Sequence, residues 1–291
     1  MMNGFKCGYV SIIGKPNVGK STLLNKLLKK KIAIVSHKPQ TTRHKILGIL
    51  DGESYQILFL DTPGIVNPKY KLQESMLNKV HAAIADADII LFMVDPFNIQ
   101  TEKSIISKVE NRPFFLVINK IDLIEKEKLL PLIDSYKDIF RFDEAIPISA
   151  LKEDGLDLLT ESILNYLPEG KPFYPENQLS ERDERFFVGE IVREKIFKRY
   201  GEEIPYSTAV VVDEFTERKD KKDYISVKIF VERDSQKKII IGKNGDSLKE
   251  MGKISREEIE DFLGRKVYLD LWVKVRKNWR KKPQEIERFG Y

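Results

Sequence analysis

Cysteine is nearly absent: Cys7 is the only one in 291 residues. A single thiol excludes an intrachain disulfide framework and any zinc site built from several cysteines, so no disulfide-linked partner is expected and the chain fits a reducing compartment. No apolar run reaches the length of a membrane-spanning helix. The opening residues Met1–Lys6 lack the hydrophobic segment of a secretory signal and lead almost directly into a first strand, so a cytoplasmic location is the expectation. Charge of one sign is also scarce in total, at +5. Its distribution therefore matters more than its sum. Residues 1–180 carry 23 Lys+Arg against 22 Asp+Glu, and residues 181–291 carry 27 against 23. Between Arg265 and Lys282 eight bases face the single acid Asp270. That stretch suits a polyanionic partner, although a solvated charged face has the same composition. At 42% apolar and 33% charged, the chain has the composition of a soluble globular protein with room for two domains.

What is present starts with a phosphate loop. The apolar run Tyr9–Ile13 is followed by Gly14, Lys15, Pro16, Asn17, Val18, Gly19, Lys20, Ser21 and then helix-like sequence from Thr22. This is G-x-x-x-x-G-K-S between a strand and a helix. Its glycines let the backbone wrap around a di- or triphosphate, and its N–H groups face the oxygens. Lys20 is expected at the outer phosphates and the Ser21 hydroxyl on Mg²⁺.

A polar segment, residues 36–44, holds Thr41 and Thr42 and precedes two strands, 45–50 and 55–60, expected to form a hairpin about Asp51-Gly52. The second strand ends in D-T-P-G, namely Asp61, Thr62, Pro63 and Gly64. An acid at that point holds Mg²⁺ through water, and Gly64 offers its N–H to a terminal phosphate. Helices over 70–87, 100–109 and 128–140 alternate with buried-type strands at 89–94 and 113–118, the pattern of a mostly parallel sheet covered on both faces.

The strand at 113–118 ends in N-K-I-D, Asn119 to Asp122. The Asp122 carboxylate accepts from N1–H and N2–H₂ of guanine, donors that adenine lacks. Asn119 either meets the other base edge or ties this loop to the phosphate loop, and the Lys120 stem packs over the base. After 144–148 come Ser149, Ala150 and Leu151, where the Ala150 N–H is expected at guanine O6. A helix over 155–167 completes the domain.

On these five motifs the first 170 residues resemble the Ras-like GTPases related to translation factors, and more closely the bacterial Era family. The residue pattern leaves Thr41 and Thr42 open; the resemblance assigns Thr42 as the switch threonine that meets Mg²⁺ and the terminal phosphate. It departs from Ras-like relatives at Ile65, where a water-orienting glutamine is replaced by a side chain that cannot hydrogen-bond. No residue is therefore assigned as general base. In some relatives the asparagine at the place of Asn17 helps bind K⁺.

The Pro- and Gly-rich stretch after Leu167 reads as a linker, placing domains at 1–170 and 181–291 with 171–180 between them. A helix is expected from Leu179 to about Tyr200, then strands at 206–214 and 224–231, a helical segment, and Gly242, Lys243, Asn244, Gly245 before a helix over 247–259 and a last strand at 267–275. G-x-x-G between helices is the loop by which KH modules clamp single-stranded nucleic acid, and it is also an ordinary helix cap. Lys237, Lys238, Lys243 and Lys249 are the expected cations, with Ile240 and Ile241 as an apolar floor for bases. The tail Trp279–Pro283 is open to RNA, anionic lipid or solvent.

The expected fold is thus α/β, a P-loop Ras-like GTPase domain followed by an α+β type II KH domain. The Era resemblance implies a switch using GTP, GDP and Mg²⁺, 16S ribosomal RNA near its 3′ end as ligand, action in small ribosomal subunit maturation, and peripheral contact with the inner face of the membrane. Two other readings stand beside it: a GTPase acting on a protein or membrane target, and a GTP-sensing RNA-binding assembly protein with negligible turnover.

Overall fold

The structure, a computed structural model, describes residues 4–97, 106, 109, 112–219 and 221–291. The helix expected over 100–109 lies, apart from Ile106 and Val109, outside the described residues. The chain forms two compact units, Met1–Asn67 with Met76–Glu181, and Pro68–Ser75 with Arg182–Tyr291.

In the first unit the chain order is β1 (Lys6–Ile13), α1 (Lys20–Leu27), β2 (Ile46–Gly52), β3 (Tyr55–Asp61), α2 (Lys71–Asp86, of which the residues before Met76 belong to the second unit), β4 (Ile89–Val94), β5 (Phe114–Ile118), α3 (Leu129–Lys137), β6 (Glu144–Pro147) and α4 (Leu156–Tyr166). The sheet order is β2-β3-β1-β4-β5-β6. Every pairing is parallel except that of β2 with β3. β4 and β5 are buried at every residue, which is why they read as unbroken apolar runs. The hairpin turns at Glu53-Ser54, not at Asp51-Gly52, because Gly52 is paired with Tyr55. β1, β3, β4 and β5 end at the same edge of the sheet, and the chemistry-bearing loops follow those ends.

The stretch after α4 is irregular yet closely held. The Cys7 N–H donates to Pro168 O, the Gly170 N–H to Phe5 O, and the Ile49 N–H to Leu179 O. Gln56, buried, accepts the N–H groups of Phe173 and Tyr174 on Oε1 and donates from Nε2 to Tyr174 O and Asp51. Ser180 donates to Leu47 O at 2.5 Å.

The second unit runs α5 (Glu184–Arg199), α6 (Glu203–Ser207), β7 (Ala209–Thr216), β8 (Asp223–Val231), α7 (Asp234–Ile241), α8 (Asp246–Leu263), β9 (Val267–Val275) and α9 (Pro283–Arg288). Its sheet has the order β7-β8-β9, antiparallel then parallel. Val188 and Val192 of α5, Ile240 of α7 and Met251 and Ile259 of α8 pack on Ile225, Val227 and Ile229 of β8. Helix α5 starts at Glu184, five residues later than expected, because Asp183 caps it by accepting the Phe186 N–H. Leu179 and Ser180 are meanwhile committed to β2. Tyr206 and Ser207 belong to α6, so the first strand starts at Ala209.

The tail also departs from expectation. Trp279 is fully buried, its indole N–H donating to Ser207 O at 2.8 Å and its ring edge-on to Phe289. Arg280 is bound to the Glu232 carboxylate at 2.7 Å. This aromatic–basic pair closes the core rather than facing solvent or lipid. Among the described residues, no helix is long and apolar enough to cross a membrane.

Candidate nucleotide site and nucleic-acid groove

β1 delivers the chain to Gly14, at φ +148, where a Cβ would lie 2.2 Å from Met93 O. Asn17, exposed, also takes positive φ and donates from Nδ2 to His37 O at 2.7 Å. Gly19 heads α1 at φ +108, and a Cβ there would meet the Asn119 amide. Both glycines are therefore required by conformation and by close approach. Val18 is buried, and Lys15 and Pro16 are partly exposed on the loop, with Thr22 in the first turn of α1.

Lys20 is buried and donates to the carbonyls of Gly14 and Lys15 at 2.9 and 2.8 Å. Burial pushes its pKa down to about 8, opposed by the Asp61 carboxylate. The Ser21 hydroxyl lies 2.7 Å from Asp61 Oδ2 and 2.8 Å from the Thr42 hydroxyl. Burial lifts Asp61 to about 6, opposed first by the Ser21 hydroxyl and then by Lys20. Its other oxygen, Oδ1, is buried without a hydrogen-bond partner. Two hydroxyls and one carboxylate with a spare oxygen, next to a loop built for phosphate, are the hard oxygen set that suits Mg²⁺. Among the described residues no group of three His, Cys, Asp or Glu offers a different metal site.

Thr41 and Thr42 separate clearly. Thr41 is buried and donates to Lys38 O at 2.6 Å, holding the loop, whereas Thr42 turns to Ser21. Thr62 is likewise structural, donating to Ile12 O at 2.7 Å. Pro63 and Gly64 are buried, and a Cβ on Gly64 would lie 2.6 Å from the Pro16 ring. The Ile65 N–H donates to Gly14 O at 3.0 Å while its side chain joins the core with Val80 and Ile84.

Asn119 takes the tying role. It donates from Nδ2 to Val18 O at 2.7 Å and accepts the Ala150 N–H on Oδ1 at 2.8 Å. That N–H, expected to meet guanine O6, is thus engaged within the protein, and Ala150 is fully buried. Asp122 accepts from the Ser149 hydroxyl at 2.6 Å, and Lys120, at φ +66, pairs with Asp95 at 3.2 Å. Leu151 is exposed beside them.

In the second unit Gly242 (φ +76), Asn244 (φ +53) and Gly245 (φ +84) make the left-handed turn between α7 and α8. A Cβ on Gly242 would strike Ser247, whereas one on Gly245 would meet nothing within 4 Å. The loop is thus open on the Gly245 side. Tyr200 pins it from beneath, donating to Ile240 O at 3.1 Å and lying 2.8 Å from the Ser247 hydroxyl.

A groove of about 680 Å³ runs beside the loop, lined by Gly245, Leu248, Lys249, Lys253, Arg256, Leu269 and Leu271 among others. Lys243 and Lys238 are exposed and Lys237 partly so, outside that lining. Of the expected apolar floor, Ile240 is buried in the core, and Ile241 is partly buried and outside the groove lining. Leu248, Leu269 and Leu271, packed on the same core, are the apolar side chains that line the groove. Alternation along β9 and the Lys249–Lys253 spacing on α8 carry the signal for these residues.

Two family models match the chain: the 50S ribosome-binding GTPase family over residues 9–120 and the KH domain over 203–280. A solved structure of an Aquifex aeolicus Era variant bound to GDP·AlF4⁻ is similar at 45% identity and a TM-score of 0.94, with 99% of each chain covered. Era in complex with MgGDPNP and nucleotides 1506–1542 of 16S ribosomal RNA matches with the same identity, TM-score and coverage.

Proposed function

The chain belongs to the Era family of GTPases, and we propose that its GTP cycle governs binding of 16S ribosomal RNA near the 3′ end during assembly and maturation of the small ribosomal subunit. The observation that carries the proposal is the meeting of Ser21, Thr42 and Asp61 within 2.8 Å beside the phosphate loop, in a chain whose second unit presents an open G-K-N-G turn on a groove where Lys249, Lys253 and Arg256 outnumber Asp246 and Glu250.

GTP would lie with its phosphates on the Gly14–Ser21 backbone and its base at Asp122 and Lys120. Lys20, freed from the Gly14 and Lys15 carbonyls, would supply positive charge to the outer phosphates. Ser21, Thr42 and Asp61 are the residues that would hold Mg²⁺, which would supply charge neutralisation to the phosphates. Thr42 is the part of the polar segment that senses the terminal phosphate, since its hydroxyl already reaches Ser21. Ile65 is buried and orients no water, so hydrolysis proceeds without a side-chain base at this position. A backbone N–H at Gly64 remains to meet the terminal phosphate.

K⁺ beside the phosphates belongs to the same reading. The Asn17 amide nitrogen is used on His37 O, which leaves Oδ1 as the end able to take a cation. Phosphate release in K⁺ and in Na⁺, for the wild type and Asn17→Ala, tests it: a rate indifferent to the cation removes K⁺ from the mechanism. A cytoplasmic protein with peripheral membrane contact is the accompanying proposal, supported by the exposed bases Lys277, Lys281 and Lys282. Co-sedimentation with anionic vesicles checks it.

The experiment for the central proposal is crosslinking in cells followed by sequencing of bound RNA, together with RNA affinity in GDP and in a non-hydrolysable GTP analogue. Enrichment of the 16S 3′ end and unequal affinities are expected. No RNA on the chain favours a protein or membrane target, and equal affinities remove nucleotide control.

A further inference from the structure

The sheet of the second unit has a face turned away from α5, α7 and α8, with Phe289 at the end of α9 packed on Phe230 at one end of it. Along β9, Val267 and Val273 point into the core, so Tyr268, Asp270, Trp272 and Lys274 lie on the opposite side. Parallel pairing with β8 sets Tyr224 beside Tyr268, Ser226 beside Asp270, Lys228 beside Trp272 and Phe230 beside Lys274. Tyr268 and Trp272 are 58% and 54% exposed, an unusual amount of ring surface to leave in water.

These rings are fixed. Tyr224 and Tyr268 lie nearly parallel, 5.9 Å between centroids. The Trp272 indole N–H donates to Asp270 Oδ2 at 2.8 Å, and the Tyr224 hydroxyl reaches the same oxygen at 3.4 Å. The Arg218 guanidinium sits over the Tyr224 ring. Asp270 therefore uses its charge to orient rings and presents the Trp272 π-face, its polar handle satisfied.

At the end of the same face is a pocket of about 270 Å³ containing Lys228, Lys274, Arg276 and Arg288 against the two carboxylates Asp213 and Glu285. Asp213 is paired with Lys228 and Glu285 with Arg276. Lys274 and Arg288 have no ion pair among the described residues, so the pocket keeps a positive excess.

We propose that this outer sheet face is a second RNA surface, on which unpaired bases stack on Tyr268 and Trp272 while Lys274 and Arg288 take phosphates. Positive excess beside pre-oriented ring faces fits an unpaired nucleic acid strand: every base has a π-face, and each nucleotide brings one negative charge. The face lies across the sheet from the G-K-N-G groove. The inference rests on the RNA-binding reading of the second unit, and its test separates the two surfaces.

Trp272 makes the test direct, because the other tryptophan, Trp279, is fully buried. A short fluorescein-labelled oligoadenylate is titrated into the full chain, with anisotropy reporting total binding and tryptophan quenching reporting the outer face. In Lys243→Asp/Asn244→Asp, which places acids in the groove loop, quenching is expected to persist with an unchanged midpoint. In Tyr268→Ala and Lys274→Glu its midpoint is expected to rise about tenfold, within the range for one lost base–aromatic stack or phosphate contact. Binding without quenching, or quenching that disappears with the groove variant, overturns the second surface and leaves the groove intact. Absence of both anisotropy change and quenching overturns RNA binding itself. Quenching that grows with protein concentration alone assigns the face to a second copy of the chain and overturns the proposal.

Discussion

The Asn119 side chain bonds the Val18 carbonyl at 2.7 Å, so the N-K-I-D loop is fastened to the G-x-x-x-x-G-K-S loop. The same side chain fastens the Ala150 turn through its oxygen. Asn119→Ala strands one buried acceptor and one buried donor, which costs roughly 2–4 kcal/mol by the usual penalty for such groups. Urea unfolding of the nucleotide-free chain measures the loss, and GDP affinity is expected to fall with it. An unchanged unfolding midpoint would remove Asn119 from its role as tie.

Asp122 is exposed and accepts from the Ser149 hydroxyl on Oδ1, with its solvent side open to a ligand. Asp122→Asn replaces an acceptor by a donor at the base edge. Guanine nucleotides are expected to weaken by about 1.5–3 kcal/mol and xanthine nucleotides to gain, since the guanine donors lose a charged acceptor. Competition of GDP and XDP for the variant measures the preference, and an unaltered preference would overturn the base assignment.

The parts legible in the sequence were those where one residue type has one use. Gly14, Lys20 and Ser21 have spacing that only a phosphate loop needs, and β4 and β5 are apolar at every position because both faces are covered. Residues with two uses were not legible. Thr41 and Thr42 are chemically alike, and only the turn at Lys38 decides which of them faces Ser21. Ile239, Ile240 and Ile241 form an unbroken run, and helix geometry alone turns Ile240 into the core while Ile239 is left 53% exposed. Trp279 looked like part of a basic tail because the sequence does not show the Ser207 carbonyl waiting for its N–H.

Asp61 and Lys20 give the empty protein an unusual pH dependence. Burial raises Asp61 from 3.8 to about 6, so the folded state holds a proton that the unfolded state releases, and stability falls as pH rises from about 4 to about 6. A shift of this size is worth about 3 kcal/mol. Lys20, lowered to about 8, acts in the other direction, and stability returns as pH rises from about 8 toward 10.5. Unfolding in EDTA, without nucleotide, is expected to show Asp61→Asn gaining stability over the wild type at pH 7 but not at pH 4. A difference between the two proteins that does not change with pH would refute the assignment.

The two glycines of the RNA loop are predicted to fail differently. Gly242→Ala adds a Cβ 2.6 Å from that of Ser247 as well as the left-handed φ penalty, so it destabilises by about 2 kcal/mol or more. Gly245→Ala meets open space and costs only about 1 kcal/mol of backbone strain. On the proposed reading a phosphate approaches on this open side, so RNA affinity is expected to fall more than stability does. Thermal unfolding and filter binding separate the two outcomes; equal losses of RNA affinity and stability in both variants would count against the open side of the loop.

The proposed coupling between nucleotide and RNA would run through the strap after α4. β2 begins two residues after His44, at the end of the segment that carries Thr42, and its Leu47 and Ile49 hold Ser180 and Leu179. Displacement of Thr42 on loss of the terminal phosphate would move β2, and with it the chain leading into α5. Gln56 secures the other end of the strap through Phe173, Tyr174 and Asp51. Gln56→Ala should release the strap, lowering stability by roughly 1–3 kcal/mol through stranded buried groups. GDP affinity, set by loops at the far ends of the strands, should stay near wild type, whereas the ratio of RNA affinities in the two nucleotide states should collapse toward one. If that ratio survives while the strap becomes susceptible to proteolysis, the signal travels by another path.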